Sequence, residues 1–331
     1  MSYRPIQRES GAFQQPVTED EIDAMCRRAF GPGTEVVSAV ELGDGYYNNT
    51  FRVEIGARRP VILRVAPDPA RQTRAEPELM RNEHASIPYL APIASLLPRT
   101  LVVDFTHDVI GRDYLFQTLL DGVPAPEGLH AYPRTEWRPF FRRLGEIARS
   151  IHSVRGTGFG RVAGPAHATW SHALFAWFED VAADLTDAGL DAEDIGLVVK
   201  LADRNRAVLD AIDGPRLLHG DLWVGNTMVA PGAPEPTING VFDCDRIWWG
   251  DPEADWPIYL ARRRPGTERD AFWEGYGPVG TTPEARWRSL VYQARHAAAL
   301  RVEYHRFGWQ KETAETYSEM QELIGKLRTG I

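Results

Sequence analysis

The spacing of apolar residues changes its period near residue 120, and that change constrains the fold more than any other feature of the chain. Before it, apolar residues fall in short runs: Val36 to Leu42, Phe51 to Ile55, Val61 to Val65, Thr100 to Asp104 and Asp113 to Leu120. Runs of this length, bounded by Gly, Asn and Pro, predict strands. Gly43-Asp44-Gly45-Tyr46-Tyr47-Asn48-Asn49 joins the first two and predicts a tight hairpin turn. A helix is expected ahead of them at Glu19 to Phe30, where Ile22, Met25, Cys26 and Ala29 share a face and Pro32-Gly33 follows. Another is expected at Ala75 to Tyr89, within the limits set by Pro77 and Pro88. After Asp121-Gly122-Val123-Pro124, apolar residues take three- and four-residue steps at Phe140, Phe141, Leu144, Ile147, Ala148 and Ile151. Further helices are predicted at Trp170 to Leu185, Leu190 to Ile212, Arg286 to Arg306 and Thr313 to Leu327. Between them lies a short β-type stretch holding Leu217, Leu218, Met228, Val229, Val241 and Phe242. The expectation is an α+β chain with a small β-rich lobe over residues 1–120 and a larger helical lobe over 121–331.

Composition narrows the function. The chain has 331 residues, enough for two lobes that each bury a core. A formal net charge of −9 argues against nucleic acid or an anionic membrane as partner. Cys26 and Cys244 cannot form a disulfide framework, which fits a reduced cytoplasm. The start, Met1 to Pro5, has no basic-then-apolar signal, and no apolar run reaches the roughly 18 residues of a membrane span. Lysine occurs only at Lys200, Lys311 and Lys326.

Residues 217–226 read Leu-Leu-His-Gly-Asp-Leu-Trp-Val-Gly-Asn, and Val241-Phe242-Asp243 follows. His219, Asp221, Leu222 and Asn226 fit the kinase catalytic-loop frame His-Arg-Asp-Leu-x-x-x-Asn, with Gly220 in place of Arg. Phosphoryl transfer needs Mg²⁺ to neutralise phosphate charge, and Mg²⁺ prefers a few hard oxygens. Asn226 and Asp243 offer such oxygens from two segments that can meet across a hairpin. Asp221 would accept the proton of the attacking hydroxyl or orient it. His219 would hold the loop. The alternative is a plain turn in which Asp221 caps amides and Asp243 is a surface acid.

Most of the chain resembles the aminoglycoside phosphotransferase family of kinase-like small-molecule phosphotransferases. The likeness rests on His219-Gly220-Asp221-x-x-x-x-Asn226, Val241-Phe242-Asp243, Gly250-Asp251-Pro252-x-x-Asp255 and Ile147-Ala148-x-x-Ile151-His152. It implies a two-lobed protein-kinase-like fold with ATP between the lobes. It also implies that Asp255 braces the catalytic loop and that His152 is structural. Gly45, Asn48 and the residues to Val53 are similar to the family's phosphate-covering hairpin, and Gln117, Thr118 and Leu119 would meet the adenine edge. Backbone readout at that hinge leaves ATP and GTP both open.

A kinase carries Lys on its third strand, paired with a helix Glu. None exists before Lys200, so Arg64 takes that slot, with Glu83 as the preferred partner over Glu76 and Glu78. Arginine is permanently charged and grips phosphate with two nitrogens.

The acceptor is the least legible feature. Residues 179–194 hold seven acids and no base, which is either a wall for a cationic acceptor or a solvated helix face. Trp248 and Trp249 either stack on an acceptor or pack against the catalytic loop, and Asp245 is a further candidate contact. Arg262-Arg263-Arg264 is either an anion contact or plain surface. The expected activity is phosphorylation of a small, sugar-bearing acceptor, an aminoglycoside or nucleoside antibiotic, by a monomer or homodimer. The Asp-Leu-Trp-x-Gly-Asn loop keeps a fructosamine-type kinase as the alternative, with a nucleotide-binding pseudokinase behind both.

Overall fold

The computed structural model describes residues 1–9, 11–43, 45–56, 59–263 and 266–329. Asp44 of the expected turn, Arg58, and Arg264 and Pro265 of the arginine cluster lie outside the described residues.

The first part of the chain builds a six-stranded sheet in the order β1-β2-β3-β4-β6-β5, from β1 (Ser2–Arg4), β2 (Val36–Leu42), β3 (Asn49–Ile55), β4 (Val61–Val65), β5 (Thr100–Asp104) and β6 (Tyr114–Thr118). Only the β1–β2 pair is parallel. All five residues of β4 are buried, as befits a central strand covered on both faces. Helix α1 (Glu19–Phe30) lies on the sheet, its Ile22, Met25 and Cys26 packed with Phe51, Val53, Leu63 and Phe116. It starts on a capping box in which Thr18 and Glu21 exchange hydrogen bonds with each other's amides at 3.3 and 2.7 Å.

Two local expectations change. β2 ends at Leu42 and β3 begins at Asn49, so the joint is a six-residue loop rather than a tight turn. Its Tyr47 and Asn48 fold inward and are buried, which a two-residue turn could not allow. The helix expected over Ala75–Tyr89 is only α2 (Leu79–Ser86), continued as a 3₁₀ stretch over Ile87–Leu96. Pro77 precedes it, Glu78 turns the chain at φ 50°, and Pro88 removes an amide from the following turn.

From Val123 onward the chain is mainly helical. The elements are β7 (Val123–Pro124), α3 (Ala125–Gly128), α4 (Arg138–His152), β8 (Gly160–Arg161), α5 (Trp170–Asp187), α6 (Glu193–Arg204) and α7 (Arg206–Asp210). Then come β9 (Arg216–Leu218), β10 (Thr227–Val229), β11 (Ile238–Val241), β12 (Trp248–Gly250), α8 (Trp256–Arg263), α9 (Thr267–Tyr276), α10 (Pro283–Arg306) and α11 (Gln310–Arg328). The helix expected over Leu190–Ile212 is two pieces, broken at Asn205. One buried cluster centres on Trp170, Phe178 and Trp287 of α5 and α10. A second, under the catalytic loop, joins Phe140, Leu144 and Ile151 of α4 to Leu217, Leu222, Val241 and Ile247. Among the described residues no helix is long and apolar enough to cross a membrane.

Helices α4 and α9 cross at backbone contact. A Cβ on Gly275 would sit 1.9 Å from the Arg142 carbonyl oxygen, and one on Gly145 would sit 2.2 Å from that of Phe272. Because backbone cannot step aside as a side chain can, Gly275→Ala should cost about 2 kcal/mol of stability. Urea unfolding checks this, and an unchanged midpoint would contradict the close crossing.

Candidate active site

Strand β9 ends at Leu218, and His219, Gly220 and Asp221 then turn out of the sheet. Gly220 has φ +83°, and a Cβ there would lie 2.0 Å from the Arg246 carbonyl oxygen. The position that is Arg in the general kinase frame therefore has to be glycine here. Leu222 is fully buried beneath the turn and anchors it.

Asp255 organises this loop. Its Oδ2 accepts the His219 amide at 2.9 Å and its Oδ1 the Gly220 amide at 2.8 Å. His152 Nε2, at the end of α4, lies 2.9 Å from Oδ2, and the Tyr276 hydroxyl lies 2.8 Å from His152 Nδ1. Burial alone would raise the Asp255 carboxyl, but the His152 bond, the imidazole charges and the Gly220 amide outweigh it and hold the group at about 2. His219 goes the other way, because burial disfavours its cation despite nearby acids. Its Nδ1 accepts the Asp221 amide at 3.3 Å, and its Nε2 lies 3.4 Å from Cys244 Sγ. The neutral ring thus ties the catalytic loop to the residue after Asp243.

Burial pushes the Asp221 carboxyl up to about 8, with Asp243 and Glu303 adding to the rise and Arg246 opposing it. Asn226, at the end of a 3₁₀ turn over Val224–Asn226, donates from Nδ2 to the Asp221 carbonyl at 2.8 Å and to Oδ2 at 3.0 Å. That fixes the amide so that its oxygen faces away from Asp221. Strands β10 and β11 pair antiparallel, and the Phe242 amide donates to the Asn226 carbonyl at 3.1 Å. Asp243 follows in the left-handed region at φ 61°. A non-glycine residue adopts that conformation only where its surroundings hold it there.

Arg64 on β4 joins these parts. It reaches Glu83 Oε2 on α2 and Asp243 Oδ1 at 2.5 Å each, with Asp245 Oδ2 at 3.6 Å. Burial would lower the guanidinium, yet the facing acids more than reverse that, so it stays charged. Oxygens of Glu83, Asp243 and Asp245 lie within 4.8 Å of one another. These three carboxylates are hard-oxygen donors of the kind that Mg²⁺ takes.

Other expected residues are placed as follows. The Gly45 and Asn48 carbonyls are engaged by Gln14 at 3.0 and 2.8 Å. Gln117 and Thr118 end β6, with Gln117 paired to both β4 and β5. The Thr118 amide already donates to the Arg99 carbonyl at 2.9 Å, which leaves Leu119 as the first hinge residue past the strand. Trp248 and Trp249 belong to β12 and pack inward, against Trp170 and Tyr89 respectively. Asp245 is buried, and its backbone carbonyl accepts from Asn82. Glu76 is not an Arg64 partner; it pairs with Arg246 and Arg306. The acids of 179–194 are partly spent within the fold. Asp184 receives the Arg74 and Ala75 amides at 3.0 Å each, and Asp194 grips fully buried Arg301 at 2.7 and 2.9 Å. Arg262 pairs with Glu253, and Arg263 with Glu319.

Sequence reasoning missed Asn82. From α2 it donates to the Asp245 and Ile247 carbonyls at 2.8 and 2.9 Å and accepts the Ala163 amide at 2.9 Å. A polar residue beside Glu83 on the buried face of a helix was the available signal.

Asp255 sets a pH dependence. Its folded value, about 2, lies below the ordinary 3.8, so its contribution is present above pH 4 and is lost as pH falls toward 2. The shift corresponds to about 2 kcal/mol. Unfolding free energies of wild type and Asp255→Asn, from urea titrations, should differ by at least that at pH 7 and converge between pH 4 and 2. A gap that stayed constant with pH would remove this role from Asp255.

Known proteins agree with this geometry. Among curated proteins none matches the sequence. A thermostable mutant of aminoglycoside phosphotransferase APH(4)-Ia, in ternary complex with AMP-PNP and hygromycin B, superposes with TM-score 0.64 at 17% identity, covering 94% of this chain and 100% of that one. An aminoglycoside 2′-phosphotransferase in complex with GDP gives TM-score 0.61 at 15% identity over 93% and 98%. A putative fructosamine-3-kinase from Thermobifida fusca gives 0.62 at 21% over 93% and 99%. These likenesses identify the kinase-like fold. The family model described as "Phosphotransferase enzyme family" matches residues 38–289, and the chain belongs to that family.

Proposed function

We propose that the protein transfers the γ-phosphoryl group of a nucleoside triphosphate, ATP in the first instance, to a hydroxyl of a small sugar-bearing acceptor. The observation that carries the reading is the meeting of Arg64, Glu83 and Asp243 from three separate elements beside the Asp221–Asn226 loop. An antibiotic acceptor, and hence a resistance role, is supported by solved relatives bound to hygromycin B and to kanamycin. A glycated amine is the second reading. It is favoured by the loop His219-Gly220-Asp221-Leu222-Trp223-x-Gly225-Asn226 and by the fructosamine-3-kinase-like neighbour.

In this mechanism Arg64 binds phosphate oxygens from the sheet side, and Glu83 keeps its guanidinium aimed at them. Asn226 and Asp243 would hold Mg²⁺, which supplies neutralisation of the phosphate charge. Asp221 Oδ2 is oriented by the Asn226 amide, and its free lone pairs receive the hydroxyl proton as the acceptor oxygen bonds to the γ-phosphorus and the bond to the β,γ-bridging oxygen breaks, releasing the nucleoside diphosphate. Burial raises the basicity of this carboxylate, which strengthens its hold on the incoming proton. Asp255 and His152 keep the loop backbone fixed while the proton moves.

ATP consumption with and without a panel of aminoglycosides, nucleoside antibiotics and glycated amines tests this. Stimulation by one class names the acceptor, and its loss in Asp221→Asn by about 10²-fold or more assigns the base. Asp243→Ala should lose about three orders of magnitude in kcat, and wild-type turnover in that variant would refute its role. Arg64→Ala should raise the ATP KM and leave residual turnover. Unaltered kinetics would take Arg64 out of the site.

A further inference from the structure

The loop between β2 and β3 is held from two sides. On one side runs the N-terminal segment. Gln14 Nε2 donates to the Gly45 and Asn48 carbonyls, which ties both ends of the inward-folded part of the loop. The segment is itself pinned: the Ile6 amide donates to Glu41 at 2.8 Å, Arg8 pairs with Glu41 at 2.8 Å, and Arg71 donates to the Ala12 carbonyl at 2.6 Å.

On the other side is the last turn of α10, in the helical lobe. The Arg306 guanidinium lies 4.5 Å from the Phe13 ring centroid and 5.6 Å from that of Tyr47. Its NH2 reaches Glu76 Oε2 at 2.5 Å. The Tyr47 hydroxyl donates to the Glu76 carbonyl at 2.8 Å, and the Phe13 and Tyr47 rings are 5.4 Å apart. The next residue, Phe307, places its ring 4.8 Å from Tyr46. Glu76 also pairs with Arg246, three residues beyond Asp243. One cation of the helical lobe thus sits in a cage made by two aromatics and a carboxylate of the sheet lobe.

The arrangement has an energetic consequence. The Arg306 side chain is only 10% exposed, and cation–π and ionic contacts gain strength as water is excluded. A six-residue loop carrying two glycines would otherwise pay its ordering cost when a ligand arrives. We infer that Arg306 is a positioning residue for the nucleotide phosphates: with Gln14, it clamps the phosphate-covering loop against the helical lobe before nucleotide binds. Arg306 needs no contact with nucleotide, because it acts through Tyr47, Phe13 and Glu76. The inference rests on the reading of the cleft as a nucleotide site given under Proposed function.

The full-length protein is compared with Arg306→Met, Arg306→Lys, Gln14→Ala and Phe307→Ala. Two readouts are independent of turnover: hydrogen exchange of the amides of residues 45–49, and calorimetric binding of AMP-PNP with Mg²⁺. Loss of the clamp in Arg306→Met should speed exchange at 45–49 and weaken AMP-PNP binding, each about tenfold. Arg306→Lys should fall between, since it keeps the charge and loses the planar stack. In turnover, the nucleotide KM should rise about tenfold while kcat moves by less than about threefold. If Arg306→Met does not fold, Gln14→Ala and Phe307→Ala, both at partly exposed sites, carry the same readouts. Exchange at 45–49 that is unaltered in Arg306→Met or, where it does not fold, in both of these, or tighter AMP-PNP binding in any variant, overturns the clamp. Wild type that fails to bind AMP-PNP sinks the phosphotransfer reading instead, and the exchange data still decide the clamp.

Discussion

A single buried guanidinium holds the two halves of the candidate site together. Arg64 leaves a strand buried along its whole length, so its charge enters a region where water cannot solvate it. The only compensation is direct contact with acids, and Glu83 and Asp243 provide it from opposite lobes. Breaking such a pair leaves an uncompensated buried charge, which is why the pair fixes geometry even where it adds little net stability. The arginine also explains the crowding of acids behind it. Glu83, Asp243 and Asp245 would repel one another without a permanent cation between them.

Around that contact the lobes are joined by polar groups, while Leu90, Ile93 and Leu96 add an apolar contact with the core of the helical lobe. Asn82 reaches from α2 to the backbone after Asp243, and Glu76 links Arg246 to Arg306. Each bridge starts in the segment from Glu76 to Glu83, directly before or on the short helix α2. Asp184 caps the start of the same segment. A stretch of chain limited by Pro77 and turned at Glu78 therefore carries several of the polar contacts between the two lobes.

The candidate site was legible in sequence because phosphotransfer chemistry demands fixed residue types at fixed separations along the chain. His219, Asp221, Asn226 and Asp243 lie in one loop and one hairpin, so their spacing survives translation into three dimensions. Helix α1 and the strands β2, β4 and β5 were legible for a similar local reason, since their apolar period and stop signals lie inside the elements. Helices α8 and α9 were not. Helix α9 packs Ala271 and Phe272 into the same cluster as Phe140 and Leu144 of α4, and Gly145 and Gly275 let the two backbones touch, a contact that no side-chain period announces. The two tryptophans of β12 left two readings open, stacking on an acceptor or packing inward. Their place next to Asp243 in sequence allows the first, while strand pairing turns them into the core.

The sequence by itself determined the order of the lobes, the catalytic loop and the choice of Arg64 with Glu83, because each depends on residue identity and local spacing. Tertiary structure alone decided what the remaining charges do. Asp184 and Asp194 read in the linear chain as part of either an acidic wall or a solvated helix face, yet they are consumed by Arg74 and Arg301 from distant segments. Glu76 is likewise drawn away from Arg64 to Arg246 and Arg306. Electrostatic pairing depends on distance through space and on burial, and neither is written in the separation of residues along the chain.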